Sequence, residues 1–198
     1  VMAAVALTVS SEALARRLAR DGVAGEKLVV IPNGVDPSKH APGHREAMRR
    51  RLGLEGRVVL GFVGSFQPWH GLDLLMDAVA RLSPSLPLHV LLVGDGAGLE
   101  PALAQAARKQ IAERVTATGS LPHPEIQAVL AGCDIGVLPG TNDYGQPMKL
   151  LEYAAGGLPS VAPDLPPVRE VLQGGRTGLL FPAGDVHGLS EALARMAR

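Results

Sequence analysis

Apolar and polar residues along the chain alternate between two kinds of segment. In runs such as VVLGFV at 58–63 and LHVLLV at 88–93 nearly every residue is apolar, which predicts strands buried on both faces of a parallel sheet. Between these runs, apolar residues recur at helical spacing, most clearly at Leu72, Leu75, Met76 and Val79. Regular alternation of strands and helices predicts an α/β fold with a doubly wound parallel sheet and right-handed crossovers.

The same pattern sets the element positions. We predict strands at 5–9, 27–31, 58–63, 88–93, 114–118, 134–138, 159–162 and 178–181, and helices at 12–20, 45–52, 72–82, 99–113, 124–131, 147–155, 167–173 and 187–198. Pro and Gly interrupt the pattern at 32–34, and the polar segment 36–43 is typical of a hinge. A domain boundary is therefore predicted near residues 36–44.

Glycine-rich loops follow three of the predicted strands: GSFQPWHG at 64–71, GDGAG at 94–98 and GSLP at 119–122. In a doubly wound sheet such loops converge on one crevice at the carboxyl ends of the strands. Gly64 allows close approach of backbone amides to a phosphate, and His70 can donate to it. In the alternative interpretation, Trp69 and His70 only fill the end of the sheet. GDGAG lacks the GxGxxG spacing of a dinucleotide fingerprint, and the GSLP turn offers backbone groups to a nucleobase edge.

A further candidate segment is 134–162, which predicts a strand, a polar loop, a helix and another strand. Lys149 and Glu152 are three positions apart near the start of the helix, where free N–H groups and the helix dipole favour an anion such as a phosphate. The alternative is an ordinary surface ion pair. The rest of this helix is mostly apolar, and because buried charges need a partner or a function, we favour the functional interpretation.

Composition narrows the function classes. Nineteen basic and nineteen acidic residues cancel, so no basic surplus indicates a nucleic-acid surface, although a local patch stays open. A single cysteine, Cys133, excludes an intramolecular disulfide and a cysteine-based zinc cluster, and the histidines lack metal-ligand spacing. We expect no metal. The apolar stretch 1–9 is too short to span a bilayer, and we expect a soluble, cytoplasmic protein. No P-loop or GxSxG motif occurs, and Asp134 and Glu170 are predicted to be structural.

Taken in order, the motifs resemble a known family. The set comprises IPNGVD at 31–36, GFVG at 61–64 with HG at 70–71, VGDG at 93–96, GSL at 119–121, PMKLLEY at 147–153 and GLLFPAGD at 178–185. It resembles the group 1, or family 4, retaining glycosyltransferases over essentially the whole chain. The resemblance implies the GT-B fold, with residues 1–36 as the end of the acceptor domain plus the hinge and 37–198 as the Rossmann-like donor-binding domain.

The resemblance also implies site residues. Glu152 matches the second glutamate of the family's E-x7-E motif, which binds ribose hydroxyls. The first glutamate falls at Tyr144, and the usual arginine and lysine of the first-strand loop fall at Ser65 and His70. Lys149 is then expected to supply one positive charge to the diphosphate, and His70 is expected to supply a second positive charge when it is protonated. The expected catalytic residues are Lys149 and His70. The expected donor-binding set is Gly64, Ser65, His70, Gly94, Gly96, Leu121, Tyr144, Gly145, Lys149, Leu151 and Glu152.

By this resemblance the chain is the donor-binding half of an enzyme that moves a sugar from a UDP- or GDP-sugar to an acceptor, without a cofactor. Its expected partner is an acceptor domain that precedes residue 1, through which the enzyme could attach to the inner membrane face. Alone, the chain is expected to be inactive. Two alternatives stay open: a nucleotide-sugar 2-epimerase, which needs further acid and base carboxylates, and a non-catalytic nucleotide-binding module.

Overall fold

The computed structural model describes residues 5–39, 45–173 and 176–198. At its N-terminal end, strands β1 (Leu7–Val9) and β2 (Leu28–Val30) form a two-stranded parallel sheet, joined by helix α1 (Glu12–Arg20) and a 3₁₀ turn. The Ser11 side chain caps α1 by accepting a hydrogen bond from the Leu14 N–H at 3.0 Å. β1 is shorter than the predicted 5–9 strand.

The remainder is built on a six-stranded sheet in which every neighbouring pair is parallel. The strands are β3 (Val58–Gly64), β4 (Leu88–Gly94), β5 (Val115–Ala117), β6 (Ile135–Val137), β7 (Ser160–Pro163) and β8 (Gly178–Phe181). Their spatial order is β5-β4-β3-β6-β7-β8. The chain thus winds outward in one direction from β3 and in the other from β6, which confirms the predicted doubly wound fold and makes the β3/β6 junction its topological switch point.

Helices accompany the strands: α2 (Arg45–Leu52), α3 (Leu72–Ala80), α4 (Leu99–Arg108), α5 (His123–Ala131), α6 (Met148–Ala155), α7 (Pro166–Leu172) and α8 (Val186–Met196). One predicted helix is wrong. The segment 99–113 is divided, because Gln110 takes φ +58 and ends α4, and a 3₁₀ turn at Ala112–Arg114 leads into β5. Pro147, predicted in the first turn of α6, is instead its N-cap residue.

The core lies on both faces of β3 and β4, whose central residues are fully buried. Asp134, at the start of β6, ties α2 to the sheet: its carboxylate accepts hydrogen bonds from Arg45, Arg49 and the Val59 N–H. Burial alone would raise the pKa of Asp134, but these hydrogen bonds outweigh it and hold the pKa below its usual value. The carboxylate is thus in a structural role, as the sequence predicted.

The predicted domain boundary near residues 36–44 is only partly visible, because residues 40–44 lie outside the described residues. On its two sides the chain belongs to different sheets, with β1 and β2 before it and β3 to β8 after it. The boundary itself stays a prediction.

Candidate nucleotide-sugar site

The candidate site lies at the carboxyl ends of β3 and β6, and Tyr153 holds helix α6 against this edge. Its hydroxyl accepts a hydrogen bond from the Val63 N–H and donates one to the Val137 carbonyl, both at 3.3 Å. The ring packs on Gly136, where an added Cβ would lie 2.3 Å from the ring. Because Lys149 is one helical turn before Tyr153, this packing positions Lys149 above the strand ends.

The loop after β3 is packed tightly against the loop after β4. Phe66 is fully buried although its backbone has a φ of +27, and its carbonyl accepts a hydrogen bond from the Gly98 N–H at 2.8 Å. An added Cβ at Gly94 would lie 2.0 Å from the Gly64 carbonyl oxygen, and one at Gly96 would lie 2.4 Å from the Ser65 carbonyl oxygen. The two loops can approach this closely only because both positions are glycine.

His70 ends a 3₁₀ turn, Pro68–His70, and is 8% exposed. Its Nδ1 accepts a hydrogen bond from the Gln67 N–H at 3.1 Å. Since Nδ1 is an acceptor, the neutral imidazole must carry its proton on Nε2. The following Gly71 is left-handed, with φ +67, and packs on Gly140 of the loop after β6.

Nε2 of His70 lies 3.2 Å from Nζ of Lys149, which is half-buried. The lysine stem fills the space beside Gly64, where an added Cβ would lie 2.6 Å from Cε of Lys149. Nζ also lies 5.5 Å from the centre of the Phe62 ring. Within the described residues, no ion pair joins Lys149 to a carboxylate. Burial lowers the pKa of Lys149, and the charge of Glu152 partly opposes this.

Two hydrogen-bond donors therefore face each other at this point, the Nε2–H of neutral His70 and the ammonium of Lys149. The N-terminus of α6 lies beside them and has no side-chain cap. An acceptor placed against this group of donors would satisfy all of them, and an anion would also compensate the half-buried ammonium. In chemical terms the arrangement is a candidate anion site.

The structure corrects one expectation about His70. Burial, followed by the charge of Lys149, lowers the pKa of His70 to about 4. The imidazole of the free protein is therefore neutral through the ordinary histidine range and does not provide a second positive charge there. It provides a fixed N–H donor instead.

Most of the other predicted residues lie on α6 or on the loops after β3, β4 and β5. Gly94 is the register partner of Gly64 on β4, and its N–H donates to the Gly119 carbonyl at 3.0 Å, which brings the Gly119 loop and the partly buried Leu121 to the same edge. Ser65 and Gly96 are exposed on the paired loops. Leu151 and Glu152 are partly buried on α6.

Tyr144 and Gly145 lie on a turn that contacts the N-terminal segment. Their N–H groups both donate to Oδ1 of Asn142, at 3.2 and 2.5 Å. The carbonyl of Tyr144 accepts a hydrogen bond from the Ser11 hydroxyl at 2.5 Å. The centre of the Tyr144 ring lies 4.5 Å from Cζ of the Arg17 guanidinium. The position of the family's first glutamate is thus occupied by a residue that joins this turn to α1.

Trp69 and Glu170 lie outside the group of donors. Trp69 is 59% exposed, so it does not fill the end of the sheet, whereas His70 does point inward. Glu170 accepts hydrogen bonds from the N–H groups of Glu12 and Ala13 at the start of α1, at 3.2 and 3.0 Å, which is a structural role. Sequence reasoning did not predict the contributions of Tyr153, Gln67 and Gly140; for Tyr153 the signal was its spacing of four from Lys149.

The fold and the site define a doubly wound α/β domain with a group of hydrogen-bond donors at its topological switch point. Residues 57–198 match the family model described as "Glycosyl transferases group 1". The chain belongs to this family, as its motif order predicted.

Three similar proteins illustrate the match. A D-inositol 3-phosphate glycosyltransferase of Nocardia farcinica is 32% identical over 185 residues, covering 88% of this chain and 41% of the relative. A GDP-mannose-dependent alpha-mannosyltransferase of Mycobacterium tuberculosis is 32% identical over 166 residues, covering 82% and 41%. The crystal structure of Anabaena Alr3699/HepE in complex with UDP-glucose superposes with a TM-score of 0.89 at 25% identity, covering 97% of this chain and 54% of that one.

The chain thus spans about two fifths of the length of these curated relatives. In the part of the chain that the structure describes, no helix is both long and apolar enough to cross a membrane. The same part contains no cluster of three or more His, Cys, Asp or Glu side chains suited to a metal ion.

Proposed function

We propose that this chain is the donor-binding domain of a retaining glycosyltransferase, and that the diphosphate of a nucleotide sugar binds between Lys149 and His70. The observation that carries the proposal is the pair of facing donors, Nζ and Nε2, 3.2 Å apart beside Gly64. A phosphate oxygen accepts from both and neutralises the ammonium, which forms no ion pair with a carboxylate in the described residues.

The nucleoside end of the ligand is assigned to the α6 and β4 side. Glu152, one turn into α6, accepts hydrogen bonds from the ribose hydroxyls, and the Gly94, Gly96 and Leu121 loops border the base. Tyr144, Gly145 and Leu151 border the sugar. These roles follow from the family resemblance and from the convergence of the three loops on one sheet edge.

The chemistry required of these residues is stabilisation of the leaving group. As the bond between the sugar and the diphosphate breaks, negative charge grows on the phosphate oxygens and must meet donors that are already in place. Lys149, the Nε2–H of His70 and the uncapped N-terminus of α6 are such donors. We propose that these donors compensate the charge of the leaving group and that the reaction needs neither a cofactor nor a metal ion.

The names of the similar proteins limit the classes of donor and acceptor that we propose. One structural neighbour holds UDP-glucose, and one relative depends on GDP-mannose, so the proposed donor is a UDP- or GDP-hexose. Another relative acts on D-inositol 3-phosphate, which makes a hydroxylated ring a reasonable acceptor class.

The acceptor is held by a separate domain that residues 5–39 join. The buried Cys133 suits a cytoplasmic enzyme, with peripheral membrane attachment through that domain.

The matched family and the two curated relatives named above are glycosyltransferases, so a 2-epimerase is not favoured. A non-catalytic binding module would bind the same ligand at the same site. Turnover in the presence of the acceptor domain distinguishes the two hypotheses, because only the enzyme would transfer the sugar.

Titration calorimetry of this chain with UDP, GDP, UDP-glucose and GDP-mannose tests the proposal. At least one of these ligands should bind, and Lys149→Met should weaken it. Lys109→Met is the matched control, because Lys109 pairs with Asp77 at 2.9 Å on the surface and its loss should leave affinity unchanged. Equal affinities for wild type and Lys149→Met, or no binding by any ligand of the panel, would overturn the diphosphate assignment.

A further inference from the structure

Trp69 is the most conspicuous feature that the proposed function does not use. Within the described residues, the exposed large hydrophobic side chains fall into two groups. Val5, Val29 and Ile31 belong to the N-terminal segment. Trp69, Tyr144 and Met148 belong to the segments after β3 and β6 that carry His70 and Lys149, and Trp69, at 59%, is the most exposed of these three. An aromatic side chain left in water beside a ligand site is a candidate contact surface.

The backbone that carries this ring is held in one conformation. The Gln67 carbonyl accepts from the His70 N–H at 2.9 Å while the His70 ring accepts from the Gln67 N–H at 3.1 Å, which closes the 3₁₀ turn on both sides. On the far side, an added Cβ at Gly140 would lie 2.7 Å from the Trp69 carbonyl oxygen. The backbone on both sides of the indole is therefore fixed, so a ligand that packs on the ring does not have to order the turn.

The ring is also close to the proposed diphosphate position. The ring centres of Trp69 and His70 are 6.0 Å apart with an interplanar angle of 64°, and His70 contacts Lys149 directly. One imidazole ring thus separates the indole from the proposed diphosphate position, so a group attached to the diphosphate comes within reach of the indole.

We propose that Trp69 forms a stacking subsite for the ring of a hexose or cyclitol next to the diphosphate. Such rings carry hydroxyls at the rim and C–H groups on one face, and an exposed indole offers the matching apolar surface with a polar edge. The proposal rests on the proposed function, because the diphosphate brings the ring to this place. The ring has two sources, the sugar of the donor or the acceptor.

Calorimetry with Trp69→Ala separates these sources. We use UDP and UDP-glucose, or GDP and GDP-mannose if the wild type prefers that pair. If the donor sugar stacks on Trp69, Trp69→Ala should weaken the nucleotide sugar about threefold to tenfold and leave the nucleoside diphosphate unchanged. Trp69→Phe should recover part of the loss. Ile31→Ala, which removes an equally exposed apolar side chain from the N-terminal segment (57% exposed), should change neither.

The second arm addresses the acceptor. Saturation-transfer NMR is recorded with free glucose or myo-inositol, in the presence of saturating nucleoside diphosphate. If the acceptor ring stacks on Trp69, the wild type should give ring C–H signals that Trp69→Ala abolishes, with donor affinity unchanged. Because Trp69 is the chain's single tryptophan, its fluorescence should shift in the same titration and confirm the location.

Three results would overturn the subsite. These are no effect of Trp69→Ala in either arm, an equal loss for the nucleoside diphosphate and the nucleotide sugar, or no ring signals together with unchanged donor affinity. In all three, binding of the nucleoside diphosphate by the wild type still supports the proposed function. Failure of the wild type to bind any nucleotide is a different outcome, which removes both proposals together.

Discussion

Lys149 carries a half-buried positive charge for which no hydrogen-bonded carboxylate is present in the described residues. Burial lowers its pKa, so the folded protein holds this charge at a cost in stability. We predict that Lys149→Met keeps or raises the thermal midpoint, measured by circular dichroism, while it weakens nucleotide-sugar binding by about 1.5–3 kcal/mol. A variant that lost both stability and binding would indicate a packing role instead.

Glu152 is the proposed ribose ligand on the same helix. Glu152→Ala should weaken nucleoside diphosphate binding by about 1.5–3 kcal/mol, the range for a hydrogen bond to a charged group, and Glu152→Gln should be milder. Calorimetry measures both. Glu191→Ala on α8, whose side chain is 69% exposed, is the control. If the Glu152→Ala and wild-type proteins bind equally well, the ribose assignment is wrong.

His70 predicts a particular pH dependence. Its pKa in the free protein is about 4, and a bound diphosphate favours the imidazolium, so the pKa in the complex is higher. Affinity should then fall as pH rises from about 4 to the pKa in the complex and be flat above it. The decline thus begins below the ordinary histidine range, in which an unshifted imidazole would titrate.

A nucleotide sugar is the suitable ligand for this measurement, because its diphosphate is esterified at both ends and does not titrate in the range. His70→Ala should flatten the profile. His187→Ala, with a side chain that is 66% exposed, should keep it. A profile that is unchanged in His70→Ala would show that His70 does not contact the diphosphate.

At the scale of elements, the packing of the β3 and β4 ends depends on Gly94. Its φ is +127, and an added Cβ would lie 2.0 Å from the Gly64 carbonyl oxygen. Gly94→Ala should lower the free energy of unfolding by about 1–3 kcal/mol from backbone strain alone, with the clash adding to this, and should weaken ligand binding. Denaturant unfolding and calorimetry measure the two effects.

Gly157→Ala is the matched control for this prediction. Gly157 also has a positive φ, +70, but nothing lies within 4 Å of its added Cβ. Gly157→Ala therefore has the cost of a positive φ without a steric clash. The position is also remote from the loops after β3 and β4. Equal destabilisation by the two substitutions would mean that contact between these two loops does not require glycine at position 94.

Secondary structure was predictable wherever one signal dominated. The fully apolar runs of β3 and β4 and the stripe of α3 are found close to their predicted positions. The helix predicted at 99–113 failed because the helical propensity of its residues does not reveal the left-handed backbone of Gln110, which ends α4. Tertiary contacts decide such a stop.

At the scale of the whole molecule, the chain combines the proposed donor site with the N-terminal segment 5–39. We predict that it binds a nucleotide sugar but does not transfer the sugar, because half of a two-domain site cannot orient an acceptor or exclude water. A chain extended by the acceptor domain through the hinge near residues 33–36 should turn over. A radiolabelled sugar-transfer assay measures both forms, with a protein-free reaction as the background control.

Two outcomes of this assay would contradict the proposals. Sustained transfer by the 198-residue chain alone would show that the site is complete without the acceptor domain. Products with inverted anomeric configuration would contradict the expected retaining mechanism.

The sequence by itself determined the doubly wound sheet, because strand burial and helix amphipathicity are written in local patterns of apolar residues. It also determined which loops meet, since carboxyl ends of parallel strands share one edge. Lys149, His70 and Gly64 could be selected on that basis, and they do come together.

Only the tertiary structure decided the electrostatics and the direction of the side chains. The neutral state of His70 depends on its burial and on Lys149, which is 79 residues away in the chain. The contact of Tyr144 with Arg17 depends on how α1 lies on the loop after β6, and the exposure of Trp69 on how its turn is held by Gly140. Solvation and charge are sums over spatial neighbours, so a pattern of residues along the chain does not contain them.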